Sequence, residues 1–231
     1  MAETKKTVNP LLIAAIGFIA YVICGFAITV LGGLWSESAI ISLASFNRIS
    51  TVLLVIMLGT IIILSSLGKP TKTIRFVAAG MEVLVILVFF LFAIPIARVL
   101  NVNAEIISYT VQCMRVSVIY MLIGSVAAIP IGMWMKDKDL KVQLIVFAAA
   151  CAVTIGVSYV LMFGLLGFPK LGITWNALGF MQPFGIFPFV AALSNAPIKM
   201  SVNKTADEKT STYSYLEQYK QKMKNGGNKD V

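Results

Sequence analysis

Three charged side chains lie inside long apolar runs of this 231-residue sequence: Arg48, Glu82 and Arg115. Charged groups are unfavourable in hydrocarbon, so they usually face the interior of a helical bundle and pair with one another. At about 1.5 Å per helical residue, each lies up to ~15 Å from a span end, and a hydrocarbon core is about 30 Å thick. We therefore predict that Glu82 pairs with Arg48 or Arg115, so that Glu82→Gln destabilises the protein.

The charged trio has two interpretations at this stage. It forms a binding or coupling cluster that keeps one positive charge uncompensated. Alternatively, it contains a structural ion pair, and the second arginine reaches water or a partner protein.

A second candidate set consists of polar side chains in or beside the apolar runs. These residues are interpreted either as the lining of a cavity or as hydrogen-bonding contacts between helices. For Thr154 we favour a bond to its own helix, because threonine readily donates to a carbonyl one turn earlier. The set is Gln112, Thr154, Ser158, Asn176 and Gln182.

The sequence contains no recognisable motif for metal binding or for catalysis. The chain has no histidine, and its three cysteines lie separately in apolar runs, where free cysteine behaves as a small hydrophobe. No nucleophile–base pair, paired carboxylates or phosphate-binding loop is visible. We expect no metal site, no cofactor and no enzymatic activity. The net charge of +9 would also suit nucleic acid, but the basic residues flank apolar spans, where they orient membrane proteins.

The composition predicts an all-α polytopic membrane protein. Hydrophobic residues make up 58% of the chain and charged residues 13%, whereas soluble domains are roughly half apolar and about a quarter charged. Ser36 and either Asn101 or Asn103 are candidate helix caps. Pro95 is expected to kink its helix, and Pro183 and Pro188 to break or bend theirs. Six spans are predicted, at about 10–34, 39–67, 76–100, 106–135, 140–166 and 171–193.

The charge distribution predicts the orientation and the domains. Fifteen of the 19 Lys and Arg residues fall in the two tails and in the turns on one side. The positive-inside rule then predicts that the protein lies in the cell inner or plasma membrane with both termini on the cytoplasmic side. Residues 1–9 are predicted as an N-terminal tail, 10–194 as the transmembrane lobe, and 195–231 as a basic tail, partly disordered or a short amphipathic helix.

An ordered set of motifs suggests a family. A charged loop at 133–140 precedes an apolar run that ends in Leu161-Met-Phe-Gly164, and Gly167-Phe-Pro-Lys-Leu-Gly172 then opens the next span. This order resembles the repeat of the multidrug and toxic compound extrusion (MATE) family. The resemblance covers about 9–193, which is one six-helix lobe, whereas family members carry two lobes around a central cavity. It implies a half-size transporter that needs a second lobe to move a small molecule.

The coupling positions depart from the family pattern. Acidic or amide residues that often bind the coupling ion would fall on Ala27, Thr154 and Ser158, so the usual carboxylates are missing. Ion-driven antiport by this lobe alone is therefore not expected. The alternative is a non-transporting accessory or structural subunit of a larger membrane complex.

A partner is expected in both cases. A lone lobe would expose a polar cavity face that includes Gln112, Ser158 and Asn176, and lipid cannot satisfy such groups. Two copies would also bring four buried arginines against two Glu82 side chains, so a heteromer is favoured over a homodimer. The expected partners are the lipid bilayer and a second lobe or larger membrane complex, without nucleic acid.

Overall fold

The computed structural model describes residues 8–194, which form a helical bundle. The predictions for 1–7 and for the tail from 195 onward lie outside this range. Six helical segments are long and apolar enough to cross a membrane, which confirms the predicted fold class. An even number of crossings would bring both ends of the bundle to the same side. The helices are α1 Pro10–Gly33, α2 Glu37–Ser66, α3 Thr71–Leu91, α4 Ala93–Leu100, α5 Ala104–Met135, α6 Leu140–Phe163 and α7 Leu178–Leu193, and a 3₁₀ turn spans Ile173–Trp175.

Helix α7 occupies the centre of the bundle. Fourteen of its 16 residues are buried, whereas only five of 21 are buried in α3 and six of 24 in α6. It packs most extensively against α5 and then α1, and it also contacts α2, α3 and α6. The outer helices therefore present their apolar faces to lipid and enclose α7 between them.

Small residues allow α7 to approach its neighbours backbone to backbone. A Cβ atom at Gly124 of α5 would lie 2.5 Å from the Phe180 carbonyl oxygen, and one at Gly179 would lie 2.7 Å from the Ser117 carbonyl oxygen. On the α1 side, a Cβ at Gly17 would lie 2.9 Å from the Gly185 Cα. Close approach through small residues is a common way for helices to associate in lipid, where no hydrophobic effect holds them together.

The predicted caps are present. The Ser36 hydroxyl accepts a hydrogen bond from the Ala39 amide at 3.1 Å, at the start of α2. Of the two candidate asparagines, Asn103 caps α5 by accepting from the Glu105 amide at 2.8 Å. Asn101 instead accepts a hydrogen bond from the Ser45 hydroxyl of α2 at 3.1 Å.

The prolines behave in two ways. The third predicted span is divided between α3 and α4 at Phe92. Pro95 explains the break, because it lacks an amide hydrogen and its ring crowds the carbonyl four residues earlier, at Leu91. Pro183 and Pro188, by contrast, both lie within an uninterrupted α7. Of the two outcomes predicted for these prolines, a break is therefore wrong, and a bend stays a prediction.

The turn after α6 follows the predicted glycine pattern. Gly164 ends the helix in the left-handed conformation at φ 70°, and Gly167 and Gly172 both have φ 83°. A Cβ at Gly164 would also lie 2.7 Å from the Lys170 amide nitrogen. The returning chain brings the Lys170 ammonium 4.4 Å from the centre of the Trp35 ring, which ties this turn to the α1–α2 turn.

Candidate functional site

The most unusual residue of the bundle is Glu82, midway along α3. The buried face of α3 consists of Ile74, Ala78, Glu82, Val85 and Phe89, which recur at helical spacing. Glu82 is the only charged member of this face, and 3% of its surface is exposed. The sequence therefore places a carboxyl group where every neighbouring position on the helix face is apolar.

The Glu82 carboxyl group has no hydrogen-bond partner on either oxygen within residues 8–194. The Ser125 hydroxyl on α5 lies close to the carboxyl group without reaching hydrogen-bond geometry. An ionised carboxylate that is buried without a partner is strongly unfavourable. Binding of a proton or a cation beside it removes that penalty.

The predicted ion pair is not formed. No Lys or Arg nitrogen within residues 8–194 contacts the Glu82 oxygens. Arg48 and Arg115 are both exposed on the outside of the bundle, whereas Glu82 is buried inside it. The prediction is wrong because it considered depth along each helix but not the direction in which each side chain points. Glu82 belongs to the inward stripe of α3, whereas the two arginines belong to the outward faces of α2 and α5.

Other unpartnered oxygens lie in the bundle interior near the middle of the spans. Tyr21 of α1 and Ser50 of α2 face each other, yet both hydroxyl groups lack a hydrogen bond within residues 8–194. The Gln182 amide of α7 donates to the Met57 sulfur at 3.7 Å, but its oxygen has no partner within the same range. We call Glu82, Ser125, Gln182, Tyr21 and Ser50 the central polar layer.

Helix contacts place these residues at comparable heights. Ser125 follows Gly124, which touches Phe180, and Gln182 lies two residues further along α7. Gly17 of α1 faces Gly185 of α7. In these antiparallel helices, Tyr21 lies ~6 Å and Gln182 ~4.5 Å from that contact in the same direction. Sequence reasoning found Glu82 and Gln182 but missed the other three, because hydroxyl groups are too common in apolar spans to be singled out.

Three members of the predicted cavity-lining set have structural roles. The Thr154 hydroxyl donates to the Ala150 carbonyl at 2.7 Å, which confirms the predicted bond to its own helix. The Ser158 hydroxyl donates to Thr154 and accepts from the Ala177 amide at 2.7 Å. Asn176 accepts from the Leu178 amide at 3.3 Å. Together Ser158 and Asn176 fix the entry of the chain into α7.

Gln112 differs from the rest of that set. It lies exposed on α5, where its amide donates to the Ser108 hydroxyl at 3.3 Å. Ser158 and Asn176 were expected to share an exposed polar face with it, but both are completely buried. The exposed polar face therefore reduces to Gln112 and Arg115, which lie one turn apart on α5.

Replacing Ser158 tests its structural role. Ser158→Ala leaves the buried Ala177 amide without its acceptor, and an unsatisfied buried donor costs about 1–3 kcal/mol. Ser117→Ala is the matched control, because Ser117 is equally buried but its hydroxyl donates only to the Met114 carbonyl of its own helix. We expect a clear loss of thermal stability for the first variant only. Equal stabilities would show that Ser158 does not anchor α7.

The fold and the site together define the class of this protein. Six apolar helical segments, of which the one that contains α7 is enclosed by the other five, with a carboxyl group buried among them, are the architecture of a polytopic α-helical membrane protein. Comparisons with protein-family models, curated proteins and solved structures found no match. The resemblance to the MATE family therefore stays a prediction.

Proposed function

We propose that this chain is one lobe of a membrane transporter, completed by a second lobe, in which Glu82 binds the proton or cation that drives transport. The observation that carries the proposal is the buried Glu82 carboxyl group, both of whose oxygens lack a partner within residues 8–194. A structural carboxylate would be expected to have a hydrogen-bond or ion-pair partner. Glu82 thus supplies the kind of group that is missing at Ala27, Thr154 and Ser158.

The chemistry of the central polar layer supports this role. Its unpartnered atoms are all oxygens, from a carboxyl group, three hydroxyl groups and one amide. Oxygen ligands suit hard cations, and a carboxyl group also accepts a proton. Binding of a proton or cation to the central polar layer changes the net charge of the bundle interior. If the bound form is more stable in one conformation of the protein, binding shifts the conformational equilibrium towards that conformation.

The packing of α7 supports the proposal that a second lobe is needed. Because α7 fills the centre of the bundle, a substrate path fits between two lobes better than through this one. The exposed pair Gln112 and Arg115 marks a face of α5 that suits a polar partner. A heteromer remains favoured, since a second identical copy would bring more unpaired arginines rather than a compensating acid.

The test is proton movement in proteoliposomes. The full chain is purified in mild detergent with whatever accompanies it, and is reconstituted with a pH-sensitive dye inside the vesicles. Addition of sodium or of a panel of organic cations should release or take up protons in the wild type. Glu82→Gln should reduce this signal at least about tenfold, the loss expected for an essential proton-transfer group. Glu82→Asp should retain part of it.

The control is Glu37→Gln, which removes an exposed carboxylate at the start of α2 and should leave the signal unchanged. Wild-type fluxes in the Glu82→Gln variant would overturn the assignment of Glu82. Fluxes by a stable monomer would overturn the requirement for a second lobe.

The alternative function is a non-transporting subunit of a larger membrane complex. The observation in its favour is Arg115, which is exposed in the middle part of α5 without an ion pair in the described chain. An acidic group on a neighbouring membrane protein would compensate it. Stoichiometric purification with an unrelated enzyme, together with an absence of cation-driven proton movement, would favour this alternative.

A further inference from the structure

A groove opens to the lipid-facing side of the bundle between α2 and the α3–α4 break. Its volume is about 720 Å³, within the range of roughly 300–1,000 Å³ that is typical of small-molecule sites. Its lining residues on α3 and α4 lie on both sides of the break at Phe92, so the groove borders the point where the third predicted span is divided. The lining residues are Arg48, Ile49, Val52, Leu53, Val88, Phe92, Pro95, Ile96, Val99 and Leu100.

The groove contains a single charge. Arg48 is its only charged lining residue, and the other nine are apolar. The guanidinium group forms no hydrogen bond, ion pair or ring contact within residues 8–194, and Arg48 lies within a helix that is long and apolar enough to cross a membrane. An arginine in this setting requires an anion or water.

Arg48 lies ~16 Å along α2 from the start of the helix at Glu37, close to the turn between α4 and α5. Ser45 of α2 binds Asn101 in the α4–α5 turn, and Arg48 lies three residues further along α2, ~4.5 Å deeper. A long basic side chain at this depth extends towards the headgroup region while its methylene groups stay in hydrocarbon. The apolar part of the groove, at Val52 and Leu53, continues from Arg48 towards the membrane interior.

We propose that this groove binds an anionic phospholipid from the leaflet that borders the α4–α5 turn. An acyl chain lies along the apolar lining, and the headgroup phosphate binds the Arg48 guanidinium. The planar guanidinium group matches phosphate oxygens in two parallel hydrogen bonds. Such a lipid accounts for both features of the groove. The acyl chain covers the apolar lining, and the phosphate compensates the charge of Arg48.

A bilayer lipid fits the position of the groove better than a soluble ligand does. Val52 on one wall is 58% exposed and Val99 on the other is 85% exposed, so the groove opens sideways along much of its length. A molecule that diffuses in the leaflet enters by this route without leaving hydrocarbon. Basic pockets between transmembrane helices are known to bind anionic headgroups, although the best-known examples lie on the cytoplasmic side.

The experiment uses native mass spectrometry of the full chain in mild detergent, titrated with phosphatidylglycerol or with phosphatidylcholine that has the same acyl chains. The wild type should bind one phosphatidylglycerol at least about tenfold more tightly than phosphatidylcholine, the ratio expected from one charge-assisted phosphate contact. Arg48→Gln should abolish this preference. Arg115→Gln is the matched control, because Arg115 is also an exposed intramembrane arginine but does not line the groove, and it should keep the preference.

A second pair of variants tests the acyl-chain site independently of charge. Val52→Trp places a bulky ring in the groove and should weaken binding of both lipids at least about tenfold. Val55→Trp is matched in residue type, helix and exposure, since Val55 is 51% exposed but does not line the groove. It should bind lipid as the wild type does. Size-exclusion profiles and the protection of the buried cysteines from thiol reagents show that each variant is folded.

Three results would overturn the proposal. The first is equal loss of lipid preference in Arg48→Gln and Arg115→Gln, which would indicate a general charge effect. The second is wild-type lipid binding by Val52→Trp. The third is complete displacement of the lipid by excess inorganic phosphate, which would show an anion site without a chain site.

Discussion

Replacing Glu82 by methionine is expected to make the isolated protein more stable, by about 2 kcal/mol. Glu82 contributes no hydrogen bond or ion pair within residues 8–194 and lies in an otherwise apolar stripe. Removing a buried polar group that lacks a partner recovers roughly 1–3 kcal/mol of desolvation. Methionine fills a similar volume with a flexible apolar chain. The midpoint of thermal unfolding in detergent should therefore rise.

The readout can use residues that the chain already has. Cys24 and Cys113 are fully buried, so a thiol-reactive fluorophore reports their exposure as the protein unfolds. Glu37→Met is the control, because Glu37 is an exposed carboxylate in the first turn of α2. It should change stability by less than about 1 kcal/mol, mainly through the helix dipole.

The opposite result would be equally informative. A loss of about 3 kcal/mol or more in Glu82→Met would mean that the carboxylate has a partner after all, because breaking a buried ion pair costs this much. The ion pair expected from the sequence predicted such a loss. A gain in stability combined with loss of proton movement would identify Glu82 as a residue retained for function at the expense of stability.

Much of the fold follows from local sequence signals. The spans are set by the length of apolar runs, and the caps at Ser36 and Asn103 by hydroxyl and amide side chains placed just before a helix. The turn at 164–172 follows from glycines that adopt positive φ. These features depend on neighbours within a few residues, so a single sequence specifies them.

Local signals do not show which helix lies at the centre of the bundle; that inference requires a comparison of all six apolar segments. The segment that contains α7 has the lowest mean hydropathy of the six, yet it is the most buried. In a bilayer this order is reasonable, because the lipid-facing helices must be the most apolar, whereas an enclosed helix can carry Gln182 and two prolines. The low hydropathy and high glycine and proline content of α7 were therefore a usable signal.

The site was only partly predictable for a related reason. Depth along a helix can be counted from the sequence, and this placed Glu82 near the middle of an apolar helix, where the structure also has it. Its rotation about the helix axis relative to Arg48 and Arg115 depends on how three separate helices pack. That packing separated the predicted pair and brought Ser125 towards Glu82 instead.

The second large effect is expected at the crossing of α5 and α7. Gly124→Ala should destabilise the protein by about 1–3 kcal/mol, the usual penalty for an extra carbon atom in a tightly packed interior. The new Cβ would lie 2.5 Å from the Phe180 carbonyl oxygen and 3.1 Å from its Cα. Both are backbone atoms, so no change of side-chain rotamer can relieve the contact, and the two helices must separate.

Gly59→Ala is the matched control for this crossing. Gly59 lies within α2, and a Cβ there would have no atom within 4 Å. Alanine also favours the helix over glycine by up to about 1 kcal/mol, so this variant should be unchanged or slightly more stable. The midpoint of thermal unfolding, monitored by the exposure of the buried cysteines, should therefore fall for Gly124→Ala and stay unchanged or rise for Gly59→Ala. If Gly124→Ala were as stable as Gly59→Ala, α5 and α7 would not cross in backbone contact, and α7 could not be the tightly enclosed centre of the bundle.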